Sequence, residues 1–323
     1  RRMSTAHCYL DPIKNRKNLK VSVNSHTTKL ILENKRCKGV LYEIKGKQCQ
    51  ANARREVVIS AGTINSPQIL EISGIGNPEI LRKTGIEINH VLPGVGQNLR
   101  DHYAPRTRWK IGTPGATYND KAKGLGMMWQ AMRYLMTKKG MMGIPAAPMR
   151  AFIKTREGLD APDGLLGWLP LLYDANYKLS KTSGVICYAH AMRPESTGHV
   201  HIASPDPKQA PKIRYNFLST QLDIDTTINA VRTVRSIMTA PIMEKLQVSE
   251  LKPGAMETSD EQLLDWIKKN GETTYHPVGT CKMGNDPNAV VNQELKVHGI
   301  NALRVADASI MPTLLSGNTN APS

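Results

Sequence analysis

Aromatic side chains are sparse in this chain of 323 residues: they make up 5%, with only two phenylalanines. A surface of stacked rings, or a nucleic-acid module with aromatics set among basic residues, has little to draw on. No apolar run approaches the roughly 20 residues that a membrane-crossing helix needs, and no signal-peptide pattern opens the chain. Cys8, Cys37, Cys49, Cys187 and Cys281 show no Cys-x-x-Cys spacing, which argues for reduced thiols in a cytoplasmic setting over a disulfide framework. Acidic residues are also few, 27 against 43 lysines and arginines, leaving a formal net charge of +16. Such a charge suits a polyanion or an anionic membrane. The basic residues are scattered, however, as in Lys14-Asn15-Arg16-Lys17, Arg54-Arg55 and Lys138-Lys139. They read as solvated surface, with no nucleic-acid partner and with peripheral attachment to the inner membrane as a lesser expectation.

The length is enough for one large or two ordinary domains. Residues 19–23, 27–32 and 39–44 are short β-rich runs between polar turns, and 55–60 reads as a buried strand ending at Ala61-Gly62. A helix follows, with Ser66 as N-cap, Pro67 in the first helical position and Gly74 as its stop. Asn77-Pro78 restarts a short helix that Gly85 ends. Residues 222–238 have helical periodicity, and Ser259 opens another helix that Asn270-Gly271 closes. Between them, residues 124–148 are rich in glycine, methionine and proline, and the methionines read as a buried helical stripe. His199-Val200-His201 alternates like a strand, putting both imidazoles on one face. Without a third ligand this is strand surface rather than a metal site.

The densest chemistry lies near the C-terminus. Thr274-Tyr275-His276-Pro277-Val278-Gly279-Thr280-Cys281 centres on a histidine whose loop is stiffened by proline. Ser316-Gly317-Asn318-Thr319-Asn320 centres on an asparagine, and Arg304-Val305-Ala306-Asp307-Ala308-Ser309 lies between the two. Taken singly, His276 would more often be a hydrogen-bonded loop histidine, Asp307 a turn carboxylate and Asn318 a left-handed turn residue. A neutral imidazole can accept a proton near neutral pH, and a carboxamide can donate to the oxygen that loses it. Cys281 reads as a small buried side chain beneath the loop. Asp101-His102 could be a catalytic pair and is read instead as a hydrogen bond locking the loop after Gly96.

These motifs resemble those of the glucose-methanol-choline (GMC) flavoprotein oxidoreductases, in their choline-dehydrogenase-like branch. Ile59-Ser60-Ala61-Gly62-Thr63-Ile64-Asn65-Ser66-Pro67 is similar to a second signature of that family, and Gly94-Val95-Gly96-Gln97-Asn98-Leu99-Arg100-Asp101-His102 to the element after it. Four motifs in order, over residues 1–105 and 190–323, are far more specific than any one. The resemblance implies an α/β (α+β) fold: part of a Rossmann-like FAD-binding domain in residues 1–103 and 272–323, and a substrate domain in 104–271 with a mainly antiparallel sheet backed by helices. It also implies a chain truncated at the N-terminus and slightly at the C-terminus. The Gly-x-Gly-x-x-Gly turn that cradles a pyrophosphate is absent here and lies upstream in the family.

By the same resemblance His276 is the catalytic base and Asn318 its partner, in the oxidation of an alcohol to an aldehyde by hydride transfer to flavin N5. Asp307 and Ala308 line the flavin. Thr319 and Asn320 enter a helix whose positive end favours the reduced flavin. Thr27 and Ala61 lie by the ADP portion. No metal is expected. The substrate is choline or another primary alcohol, and the electron acceptor oxygen or a quinone. A quaternary ammonium asks for an aromatic cage, to which Trp109, Trp129, Trp168, Tyr173 and Tyr177 are the candidates. A flavin-dependent lyase and a non-catalytic ligand- or partner-binding remnant are the alternatives.

Overall fold

The computed structural model describes residues 4–145 and 147–323. The chain opens with a three-stranded antiparallel sheet of consecutive hairpins: β1 (His26–Glu33), β2 (Arg36–Ile44) and β3 (Lys47–Asn52). Both links are two-residue turns, Asn34-Lys35 and Lys45-Gly46, with all four residues at positive φ. That turn geometry matches the right-handed twist of the strands it joins. Residues 19–23, expected as a strand, are irregular, with Val21 and Val23 exposed. The short strand β4 (Val57–Ile59) is only partly buried, with Val58 49% exposed.

Helix α1 (Gly62–Ile72) begins before the expected Ser66 cap, so Pro67 lies inside it. A mid-helix proline withholds the N–H that would bond the carbonyl four residues back. That carbonyl, on Thr63, accepts from Thr280 Oγ1 instead, at 2.6 Å. The misplaced proline therefore ties α1 to the loop after His276. Gly74 (φ +77) ends the helix in the left-handed conformation that glycine adopts without strain. The parallel pair β5 (Ile75–Gly76) and β6 (His90–Val91) flanks α2 (Pro78–Lys83), whose N-cap Asn77 accepts from the Glu79 amide at 2.8 Å.

A second sheet follows. After β7 (Tyr103–Ala104) come β8 (Arg106–Ile111), the short helix α3 (Tyr118–Lys121), and α4 (Gly126–Thr137). Strands β9 (Met149–Ile153), β10 (Gly164–Leu169) and β11 (Gly184–Ala191) precede the hairpin of β12 (His199–His201) and β13 (Lys212–Arg214). Then come α5 (Gln221–Met238), β14 (Val248–Lys252) and α6 (Asp260–Asn270), the last opened by a capping box between Ser259 and Gln262. Strands β14, β8, β11, β10 and β9 form one antiparallel sheet in that order. Trp109, Leu166, Cys187 and Ala189 on one face pack against Val231, Val234, Leu263 and Ile267 of α5 and α6. Full burial of such aliphatic side chains is worth about 1.5–3 kcal/mol each before conformational entropy is counted. This is the antiparallel sheet backed by helices that the motifs imply.

The methionine stripe of α4 is a correction: none of its residues is buried, and Met127, Met128, Trp129, Met132 and Met136 are exposed. Its period is helical, but among the described residues no element buries the apolar face. The chain returns through β15 (Glu272–Thr273), which pairs with β7, and β16 (Leu303–Val305), which pairs in parallel with β4. Exit and return are thus side by side.

Candidate active site

The loop after β15 is held by Asp101. One carboxylate oxygen accepts the His276 main-chain N–H at 2.9 Å and the other accepts from Thr273 Oγ1. Burial raises the Asp101 pKa, and these hydrogen bonds oppose that rise. Further along, Thr63 Oγ1 of α1 donates to the Pro277 carbonyl at 2.7 Å. Gly279 sits at φ +96, where a Cβ would run into the Asn98 carbonyl, so the loop needs glycine at this point. The Asp101 carboxylate also takes the His102 main-chain N–H, in keeping with the structural hydrogen bond expected there, and the two residues make separate links to the His276 loop. Asp101 fixes its main chain, and His102 Nδ1 lies 3.1 Å from His276 Nδ1.

The His276 ring is half-buried. Its Nδ1 is 2.8 Å from Thr274 Oγ1, and its Nε2 is 2.9 Å from Asn318 Nδ2. Burial, and secondly the Arg150 guanidinium, lower the His276 pKa. The imidazole therefore stays neutral, as a base must, over more of the pH range. Both side chains border a cavity of about 180 Å³, with Arg106, Tyr188, His190 and Leu165 among its walls. This is the face of the five-stranded sheet turned away from α5 and α6. Alternation along β11 puts Cys187 and Ala189 on the helix side and Tyr188 and His190 in the cavity. Gly167 on β10 leaves room for the Tyr188 ring, which a Cβ would strike.

Sequence reasoning missed Arg106, Arg150, Tyr188 and His190. The Tyr188-Ala189-His190 alternation is a signal for the last two; nothing local marks Arg150, which lies 168 residues from Asn318 yet donates to its Oδ1 at 2.6 Å. None of the five candidate cage aromatics borders the cavity: Trp109 is in the helix-side core and Trp129 is exposed.

Asp307 sits at the end of β16. Its Oδ2 accepts from Gly62 N at 2.9 Å and from Ser66 Oγ at 2.5 Å, and its Oδ1 accepts from Ser309 N at 2.8 Å. It thereby clamps the N-terminus of α1, and the neighbouring Ala308 carbonyl accepts from Gly279 N at 3.3 Å. Thr27 and Ala61 share a cavity of about 490 Å³ between β1, α1 and residues 207–211, distant in kind from the His276 cavity. Thr28 also lines it, though its hydroxyl is buried away from the open space and has no partner among the described residues. The cavity is roomy enough for part of a cofactor of the size of FAD, with Thr27 and Ala61 in its wall; Asp307 does not border it. Thr319 is buried in a bend and Asn320 exposed in the turn that follows. Cys281 is fully buried, and desolvation pushes its thiol pKa up, so it is no nucleophile. His199 and His201 do share a face, with ring centroids 5.1 Å apart, but His201 is buried against Glu71 rather than lying on the surface.

Residues 1–104 and 194–323 match two family profiles described as GMC oxidoreductase, N- and C-terminal parts. An oxygen-dependent choline dehydrogenase of Cronobacter sakazakii is 39% identical over 99% of this chain and 58% of its own length. One from Chromohalobacter salexigens is 37% identical over 100% of this chain and 58% of its own. The chain thus spans 58% of the length of these relatives. Among solved structures, a formate oxidase of Aspergillus oryzae superposes with a TM-score of 0.87 at 26% identity, covering 96% of this chain and 59% of that one. An FAD-dependent oxidoreductase from Chaetomium thermophilum gives 0.86 at 25% identity, covering 97% and 61%. With both its ends matched to family profiles and curated members aligned along nearly all of it, the chain belongs to the GMC oxidoreductase family.

Proposed function

We propose that the protein oxidises a primary alcohol to an aldehyde with FAD as cofactor, His276 acting as general base and Asn318 as its hydrogen-bonding partner. The observation that carries this reading is the His276 Nε2–Asn318 Nδ2 contact of 2.9 Å at the wall of a cavity of about 180 Å³. Nε2 takes the hydroxyl proton, and the Asn318 amide steadies the oxygen as negative charge builds on it. FAD, when bound, supplies the hydride acceptor. Thr27, Ala61, Asp307, Ala308, Thr319 and Asn320 are the residues assigned to hold it. Residues 1–103 and 272–323 belong to the cofactor domain and 104–271 to the substrate domain, a division supported by the pairing of β7 with β15.

The substrate is a small alcohol. Choline appears in the names of the relatives, while Tyr188 is the one phenylalanine, tyrosine or tryptophan among the described cavity residues and Arg106, paired with Glu272, brings a guanidinium to its wall. Those features favour a neutral alcohol over a quaternary ammonium. The test is an anaerobic stopped-flow screen of the full-length protein. A neutral primary alcohol should bleach the flavin absorbance faster than choline; absence of bleaching by any alcohol overturns the reading. Mixing the reduced enzyme with oxygen or with a quinone then identifies the acceptor.

No helix among the described residues is long and apolar enough to cross a membrane. Peripheral attachment to an anionic membrane is supported by α4, which exposes Met128, Trp129, Leu135 and Met136 beside Arg133, Lys138 and Lys139. Sedimentation with phosphatidylglycerol vesicles, but not phosphatidylcholine vesicles, is the expected result; no difference between them removes this assignment.

A further inference from the structure

A chain of hydrogen bonds runs through His276, and both of its ends have only one possible polarity. At one end Arg150 Nη1 lies 2.6 Å from Asn318 Oδ1. A guanidinium only donates. The Asn318 carboxamide is therefore held with its oxygen toward Arg150 and its NH2 toward His276 Nε2, 2.9 Å away. An amide N–H facing Nε2 requires a lone pair there.

At the other end His102 Nε2 lies 2.9 Å from the Met192 carbonyl, which only accepts, so this nitrogen carries a hydrogen. His102 is fully buried, and burial together with His190, whose ring centroid is 4.3 Å away, pushes its pKa down to about 3. The ring is neutral, and the hydrogen that Nε2 gives the Met192 carbonyl leaves Nδ1 bare; the Leu315 carbonyl, which also bears on the ring, is the weaker of the two acceptors. That bare nitrogen faces His276 Nδ1 at 3.1 Å and accepts its hydrogen, with Thr274 Oγ1 as a second acceptor at 2.8 Å. Every donor from Arg150 to the Met192 carbonyl points the same way.

We propose that Arg150 and His102 are positioning residues that hold His276 from opposite sides in one tautomer, hydrogen on Nδ1 and lone pair on Nε2 toward the cavity. This rests on the reading of His276 as the base. A free imidazole divides its hydrogen between two nitrogens, and one of those forms presents an N–H where the base needs a lone pair. The groups around the ring otherwise contribute in different ways. Asp101 meets the His276 main chain, not its ring. His190 and Tyr188 on β11 and Arg106 on β8 share the cavity, and Glu272 is occupied with Arg106 at 3.2 Å. Arg150 is thus the cation that bears on the ring, disfavouring imidazolium.

The test uses the full-length, flavin-loaded protein labelled with ¹⁵N-histidine, the His276 signals being identified by their loss in His276→Gln. At pH 8 the long-range ¹⁵N–¹H spectrum should show the hydrogen on Nδ1 and a bare Nε2. A hydrogen on Nε2, or an even mixture, overturns the proposal whatever the kinetics show. Arg150→Met should move the acid limb of kcat/KM about one unit to higher pH, a roughly tenfold loss on the acid side, and let the tautomers mix. An unmoved limb with an unmixed tautomer overturns the role of Arg150. His102→Asn keeps an acceptor and should keep the tautomer, whereas His102→Leu should lose it. The Arg150 variant and the wild-type spectrum decide the matter if His102→Leu does not fold. Normal turnover in His276→Gln with the predicted tautomer in the wild type would refute the base reading instead and leave the tautomer assignment standing.

Discussion

His201 and His276 are both held by side chains remote in sequence, yet they differ in what is left over. His201 Nδ1 is 2.7 Å from Glu71 Oε1, and its Nε2 is 2.9 Å from Gln97 Nε2; Glu71 Oε2 takes the Ile202 N–H at 2.8 Å. Glu71 is fully buried, and the cluster ties α1 to β12. His276 is bonded at both ring nitrogens too, but its Nε2 partner is an exposed amide at a cavity wall that an alcohol oxygen can displace. A histidine becomes reactive here through the direction of one lone pair, not through having fewer partners.

The largest effect that can break this contrast is on rate. His276→Gln should slow flavin reduction in the full-length protein by about 10²–10⁴, the usual worth of a general base, while thermal stability stays close to wild type. His201→Gln should do the reverse. A rate loss in His201→Gln as deep as that of His276→Gln would erase the distinction, and stopped-flow traces of the two variants side by side give the answer.

Next in size is the buried carboxylate. Glu71→Ala leaves the Ile202 amide and His201 Nδ1 unpaired in the core, for a destabilisation of about 3 kcal/mol by urea titration. The flavin reduction rate of the folded fraction should change by less than about threefold, since Glu71 lies on the structural side of the contrast. Glu71→Gln, which can still accept from Ile202, should lose roughly half as much stability.

Acid sharpens the comparison further. Burial lowers the pKa of His102 to about 3 and of His190 to about 4, against the usual 6.5. A histidine whose pKa is lower in the folded state leaves the unfolded chain binding the extra proton below pH 6.5, so stability falls as pH drops from there toward 4. Each ring contributes on the order of 3 kcal/mol of that loss by pH 4. Denaturation midpoints measured from pH 7 to 4 should fall steeply, and His190→Asn should flatten the slope; an unchanged slope means that this ring is not protonation-linked to folding.

Local chemistry was readable in advance where it is decided locally. The helix start at Ser259, the Asn77-Pro78 helix start and the apolar period of α5 all sit where their residues place them. Strand β10, Gly-Leu-Leu-Gly-Trp-Leu, has no alternation to read because the sheet buries it on both faces. The methionines of α4 announce a helix but not whether anything covers it. In the site, His276 and Asn318 stand inside dense motifs, whereas Arg150 and His190 reach it only through the register of β9 and β11 on β10. Register is a long-range property, and a single residue shift would have turned those side chains to the other face.

Pro67 shows how far a local rule can mislead, and it supplies the smallest of the effects. Proline in the first turn is the ordinary reading, but here the helix starts upstream and Thr280 Oγ1 serves the Thr63 carbonyl that Pro67 cannot. Thr280 is fully buried, three residues beyond Pro277, whose carbonyl takes the Thr63 hydroxyl. Thr280→Val keeps the shape and removes the donor, which should destabilise by about 1–2 kcal/mol. Because the bond joins α1 to the His276 loop, the loss should fall on stability and on amide exchange across that loop, with the His276 acid limb unmoved. If the variant is as stable as wild type, the proline is tolerated for some other reason and the link between helix and loop carries no weight.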